Sequence, residues 1–252
     1  MLRIYLTGRV TIEGDGPPID QDEFPGNQGL VAFCRLAVDR THALGRDELA
    51  AALWPDKLPR AWDGALHAIV SKLRLLLARA GMDKSEVIGS ALGCYQLRLA
   101  PDAWIDTETA TDAIHEAEGF LAASKWRQAW SEAQVAYHIS RRPFLAGEDA
   151  PWVEEQRERL RAVFARASEC LAEAYMRNGE PQVAVDVAKQ LIAAQPFRET
   201  GHQMLMRAHA AAGNRAEALW AYERCRKIIS AELGVAPSAE TTAVYMKVLR
   251  SR

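Results

Sequence analysis

A chain of 252 residues that is 49% hydrophobic and 25% charged holds enough apolar material for two domains with separate cores, and is not composed like a disordered protein. Its formal net charge of −2 argues against a nonspecific nucleic-acid coat but is compatible with a local basic surface. No apolar run reaches the roughly 18 residues that suggest a membrane span. The first residues alternate like a strand instead of forming a signal-peptide core, so the expected location is cytoplasmic.

At the start of the chain, Leu2, Ile4 and Leu6 alternate with Arg3 and Tyr5, and Val10 and Ile12 alternate with Thr11 and Glu13. This reads as a short antiparallel platform whose third strand is placed at residues 18–20. Pro25, Gly26 and Asn27 read as a turn, after which Leu30, Phe33, Cys34, Ala37 and Val38 space as one helix face. A second helix is expected over residues 46–54, with Leu49, Ala52 and Leu53 inward and Trp54 packing beside the helix pair.

Residues 59–81, PRAWDGALHAIVSKLRLLLARAG, form the stretch around which the first half is organised. Trp62, Leu66, Ile69, Leu73, Leu76 and Leu77 make one apolar stripe at helical spacing. Gly64, Ala68 and Ser71 lie opposite, flanked by His67 and Lys72, with Arg60 and Arg74 nearer the edge. Residues 87–89 and 95–99 then read as two strands around a turn at 90–93. Helix, turn, helix, hairpin is the order of a winged helix-turn-helix, whose second helix enters the major groove while the hairpin reaches the backbone or minor groove. An ordinary amphipathic surface helix shows the same periodicity. The local charge favours the winged reading: Arg60, Lys72, Arg74 and Arg79 face the single acid Asp63.

Residues 101–106 close the first domain, and strand signals vanish from Thr107 onward. A period of 34 appears instead. Gly179, Ala184 and Ala188 recur as Gly213, Ala218 and Tyr222, and Leu171, Ala174 and Tyr175 as Leu205, Ala208 and His209. Small residues where two helices cross and a Gly at the turn between them mark tetratricopeptide-like helix pairs. An earlier pair is placed at 110–123 and 126–140, and a capping helix at 238–249. The fold expected overall is an α+β winged helix-turn-helix at 1–104 followed by an all-α tetratricopeptide-like domain at 105–252. Trp126, Trp130, Trp152 and Trp220 read as packing residues of the second domain, and Arg141, Arg142, Arg157, Arg159 and Arg161 as partners of the neighbouring acids.

The wording LWPD (53–56), IVSKLRLLL (69–77), GCYQLRL (93–99), RRPFLAGEDAPWVEEQRERL (141–160), PFRETGHQMLMRAHAAAGNRAEAL (196–219) and YERCRKIISAELGVAPSAET (222–241) resembles the bacterial transcriptional activator domain family. These are the SARP-type regulators, related in their first half to OmpR-type winged helices. The resemblance implies a sequence-specific regulator, commonly an activator, that binds direct repeats near promoters as a side-by-side dimer and contacts RNA polymerase. Because the sequence stops at Arg252, it resembles the short, stand-alone type. Two departures stand out. PGNQGL at 25–30 is less basic than the family leads one to expect, and the recognition helix turns Ala68 and Leu75 outward.

The candidate DNA-binding set is Arg60, His67, Ser71, Lys72, Arg74 and Arg98. Lys72, Arg74, Arg60 and Arg98 are assigned to phosphates, and His67 and Ser71 to base edges. Arg79, at the helix end, reads as compensation of the helix dipole. The alternative function is a protein-interaction scaffold or effector-sensing module with little DNA binding of its own, the effector being a small molecule or protein at the helical domain. Enzyme chemistry is the weakest class. G-x-x-x-x-G-K-[ST], H-E-x-x-H and G-x-S-x-G motifs are all absent, and no catalytic residue, cofactor or metal is expected. Cys34, Cys94, Cys170 and Cys225 form no C-x-x-C pair and read as buried free thiols.

Overall fold

The structure, a computed structural model, describes residues 1–250. The chain divides into two compact units. Chain order and compactness do not coincide, because Met1–Thr109 is joined in the first unit by Arg142–Leu160, while Ala110–Arg141 and the chain from Arg161 onward make the second.

In the first unit β1 (Arg3–Tyr5) pairs antiparallel with β2 (Thr11–Glu13), which pairs with β3 (Ile19–Asp20). The alternation is plain in the strands: Ile4, Leu6, Ile12 and Ile19 are fully buried while Arg3, Glu13 and Asp20 are exposed. The platform sits close against the longest helix of the unit, since any Cβ at Gly16 would collide with the Arg79 carbonyl oxygen. Then come α1 (Gly26–Val38), the short β4 (Leu44–Gly45), α2 (Arg46–Leu53), α3 (Trp62–Arg79), β5 (Ile88–Ala91), β6 (Cys94–Leu97) and β7 (Trp104–Ile105). The first helix begins at Gly26, inside the expected turn. The Pro25 ring packs directly on Gly29, where no Cβ fits.

Two strands were not expected. β7 lies parallel to β1, with Arg3 opposite Trp104, and completes a four-stranded sheet. β4 pairs with β6, so the hairpin is the outer part of a three-stranded sheet. Each spans only two residues, too few for an alternation to show.

The segment 142–160, whose wording carried much of the resemblance, is built into this unit. Gly8 N–H donates to the Pro143 carbonyl at 2.7 Å and Thr7 bridges Phe144. Arg157 donates to the Phe144 and Leu145 carbonyls at 3.0 and 2.5 Å, holding a turn in which Leu145 has φ of 41°. Trp152 donates its indole N–H to the Ala52 carbonyl at 3.3 Å, and the Arg35 guanidinium lies 5.3 Å over its ring. Trp152 thus packs in the first unit, not among the helix pairs.

The second unit is helical. Its elements are α4 (Asp106–Ala122, from Ala110 onward), α5 (Trp126–Ser140), α6 (Pro151–Arg177, from Arg161 onward), α7 (Pro181–Ala194), α8 (Glu199–Ala211), α9 (Arg215–Leu233) and α10 (Ala239–Arg250). The period of 34 is the spacing of helix pairs. Gly179 and Gly213 turn with φ of 80° and 76°, and the buried Ala184, Ala188, Ala208 and Ala218 let neighbouring helices approach. Arg166 grips Glu118 through two bonds of 2.7 and 2.6 Å. Trp220 and Trp130 depart from the packing expectation: they are 63% and 39% exposed. Cys34, Cys170 and Cys225 are buried free thiols, whereas Cys94, opening β6, is half-buried. Burial pushes the Cys225 and Cys170 thiols up to about 11 and 12.

His209 on α8 is buried with neither ring nitrogen hydrogen-bonded. Burial holds its pKa below the ordinary 6.5, opposed by Glu217 and reinforced by Lys189 and Arg224. The unfolded chain therefore takes up this proton first as pH falls. Its contribution to stability is expected to be complete above pH 6.5 and to be lost as pH falls through the lower folded value, with a slope of at most about 1.4 kcal/mol per pH unit. Urea midpoints measured between pH 5 and 8 check this, and His209→Leu should flatten the dependence.

Candidate nucleic-acid interface

The site is organised by α3. Leu66, Ile69, Val70, Leu73, Leu76 and Leu77 are its buried residues, so the opposite strip is what the helix shows to solvent. At about 100° per residue, Gly64, His67, Ala68 and Leu75 all fall within about 60° of Ser71, and Lys72 stands about 100° to one side. Gly64, His67, Ala68, Ser71, Lys72 and Leu75 are all exposed. Arg60 precedes the helix and is exposed too.

The candidate residues separate into two groups. Arg60, Ser71 and Lys72 project without an ion pair or side-chain hydrogen bond among the described residues. Arg74 does not project. Its Nε and Nη2 donate to the Ile88 carbonyl at 3.0 and 2.6 Å, tying α3 to the first strand of the hairpin. Arg98 lies beyond β6, about 20 Å of extended chain from the hairpin tip. Its guanidinium covers Gly89, where a Cβ would come within 2.6 Å of it, and its N–H donates to the Val87 carbonyl at 2.8 Å. Arg74 is thus bonded to the hairpin, whereas the Arg98 side chain lies along the strand over Gly89 and stays exposed, without an ion pair or side-chain hydrogen bond among the described residues. Arg79 pairs with Glu23 at 2.6 Å instead of standing free at the helix end.

Arg74→Ala should therefore act on the fold. It leaves the buried Ile88 carbonyl without its donors, and the expected loss is about 1–3 kcal/mol, read by urea unfolding. Lys72→Ala, on an exposed side chain, should leave the same midpoint unchanged.

Sequence reading missed Arg46. From the start of α2 it pairs with Asp63 and donates Nη2–H to His67 Nδ1 at 2.8 Å. A guanidinium has no lone pair to offer, so Nδ1 must accept and the ring proton sits on Nε2. The ring also stands edge-on to Tyr95, centroids 6.2 Å apart. His67 is thus fixed as an N–H donor, and the one acid of α3 is neutralised. The partners are 17 and 21 residues apart, a spacing with no local signature.

The hairpin tip is a two-residue turn between Ala91 and Cys94. Leu92 has φ of 51°, Gly93 has φ of 76°, and Leu92 is fully exposed. Two successive positive φ values match the twist of the flanking strands. Glycine adopts them readily; leucine does so at a cost.

Among the described residues no group of His, Cys, Asp and Glu is arranged to hold a metal, and no helix is long and apolar enough to cross a membrane.

Comparison with known proteins supplies the context. Residues 105–249 match the family model described as the bacterial transcriptional activator domain. The transcriptional regulatory protein EmbR of Mycobacterium tuberculosis is 28% identical over 98% of this chain and 63% of its own length. The regulatory protein AfsR of Streptomyces coelicolor is 28% identical over 99% of this chain but only 24% of its own, and the transcriptional regulator RedD of the same species is 30% identical over 85% and 61%. The chain therefore spans less than two thirds of the length of each. The solved structure of Mycobacterium tuberculosis EmbR in complex with a low-affinity phosphopeptide superposes with a TM-score of 0.87 at 26% identity, covering 99% of this chain and 65% of that one. EmbR and RedD are named as regulators of transcription and AfsR as a regulatory protein, none of them as an enzyme. The match over residues 105–249, with the winged helix-turn-helix ahead of it, places the chain in the bacterial transcriptional activator domain family, among the SARP-type regulators of transcription.

Proposed function

We propose that the first unit binds double-stranded DNA in a sequence-specific manner, with α3 in the major groove and the β5–β6 hairpin beside it at the backbone or minor groove. The observation that carries this is the outward strip of α3. It is rimmed by the free cations Arg60 and Lys72, its one acid is cancelled by Arg46, and His67 is held as a donor. Phosphate contacts supply affinity that falls with salt, and contacts to base edges supply discrimination. On this reading the protein acts as an activator in the cytoplasm, binds direct repeats near promoters as a homodimer on DNA, and contacts RNA polymerase. The family's naming as regulators supports it.

The test is selection of fragmented genomic DNA by the purified chain at two salt concentrations. Enrichment of a repeated motif upstream of genes, weaker at the higher salt, is the expected result, and the repeat spacing then gives the dimer geometry. Absence of enrichment even at low salt would favour the alternative, a protein-interaction or effector-sensing module, for which the 63% exposed Trp220 on α9 is the first contact to examine.

A further inference from the structure

We infer that the strip of α3 facing the groove reads thymine, through its C5-methyl group and O4, and not guanine. The inference rests on the DNA-binding reading above and specifies what that surface recognises.

Guanine is read in the major groove mainly by a guanidinium or ammonium bonded to O6 and N7, whereas thymine presents a methyl group and a single acceptor. Apart from Arg60, the arginines near the strip are committed elsewhere. Arg74 spends two nitrogens on the Ile88 carbonyl, Arg46 is held by Asp63 and His67, and Arg79 by Glu23. Lys72 stands on the flank and Arg60 ahead of the helix, positions suited to phosphates.

What remains at the centre is apolar or neutral. Leu75 is 53% exposed although it belongs to a helix with a well-filled buried face. Ala68 shares its face two turns earlier, and Gly64 has open space where a Cβ would stand. Leu75 and Ala68 can cover methyl groups but cannot bond a guanine edge. His67, its Nδ1 occupied by Arg46, offers one N–H donor, which suits a single acceptor such as O4. Methyl contact, with the His67 N–H and the Ser71 hydroxyl at the middle of the strip as neutral donors to O4, matches thymine, and an operator rich in A·T pairs under α3 follows.

The experiment starts from a pool of random-sequence duplexes. The enriched duplex is resynthesised with uracil for thymine, which removes only the methyl group, and separately with 7-deazaguanine for guanine, which removes N7. Uracil should weaken binding about four-fold per methyl covered, and 7-deazaguanine should leave it unchanged. Leu75→Ala should bring the thymine-to-uracil affinity ratio towards one, with circular dichroism and the urea midpoint unaltered because the side chain is exposed. Leu75→Met, which keeps the apolar reach, should preserve the ratio. Indifference to uracil, a loss with 7-deazaguanine, or a ratio unmoved by Leu75→Ala would overturn the inference while DNA binding stands. Failure to enrich any duplex at low salt would instead overturn the DNA-binding reading itself.

Discussion

Asp106→Ala is expected to destabilise the first unit by about 3–5 kcal/mol. Asp106 is fully buried and accepts hydrogen bonds from the Leu6 N–H at 2.9 Å, the Thr7 N–H at 2.9 Å and the Thr7 hydroxyl at 2.7 Å, with the Thr107 N–H beside them. Leu6 and Thr7 stand just beyond the end of β1, where the ladder to β2 has stopped. Alanine would leave two buried N–H groups and a hydroxyl without acceptors, and each unpaired group costs about 1–3 kcal/mol. Asp106→Asn should fall between the two, because its amide keeps one acceptor oxygen and turns an N–H2 towards a donor. Burial raises the carboxyl pKa above the ordinary 3.8 in spite of those bonds. The folded state therefore holds this proton more tightly than the unfolded chain, an advantage present at low pH and lost as pH rises through the raised value. Urea unfolding of the three proteins at pH 7 is the check. A loss under about 1 kcal/mol for Asp106→Ala would show that the bonds are dispensable.

The second large effect concerns binding. Arg60→Ala combined with Lys72→Ala should weaken affinity for a selected duplex roughly 30-fold at 0.15 M salt and make the slope of log K against log salt less steep by about 2, since each lost phosphate contact releases about 0.9 fewer counterions. Both side chains are exposed, so the urea midpoint should not move. Fluorescence anisotropy across a salt series measures both quantities. Arg74→Ala separates the two kinds of arginine, because its effect should appear in the unfolding curve and not primarily in the salt slope.

The pattern of success in reading the chain has a physical cause. Alternation of Ile4, Leu6 and Ile12, the stripe from Leu66 to Leu77 and the recurrence of Gly179 as Gly213 are all local or periodic, and each corresponds to an element. The two-residue β4 and β7 exist only because β6 and β1 are there to pair with them. Asp106 reads locally as an acid opening a helix. Its role depends on Leu6 and Thr7, a hundred residues away. The same limit applies to the candidate interface. Helical spacing brought Lys72, Ser71 and His67 to the outward side, but which arginines reach outward depends on tertiary acceptors. Arg74 turns back to the Ile88 carbonyl, while Arg98, which has no such acceptor, lies over Gly89 and stays exposed. Arg46, which orients His67, carried no signal because its partners sit on a different helix.

The most direct test of the central claim, that α3 meets DNA, is cleavage from the helix itself. Ser71→Cys, at the middle of the outward strip, can be tagged with an iron chelate while Cys34, Cys170 and Cys225 are buried and Cys94 is half-buried. The tagged protein, bound to its selected duplex, should cut both strands within the enriched motif, centred on one major groove per half-repeat. Motif binding that persists with no cleavage above that of the tagged parent chain would contradict the account.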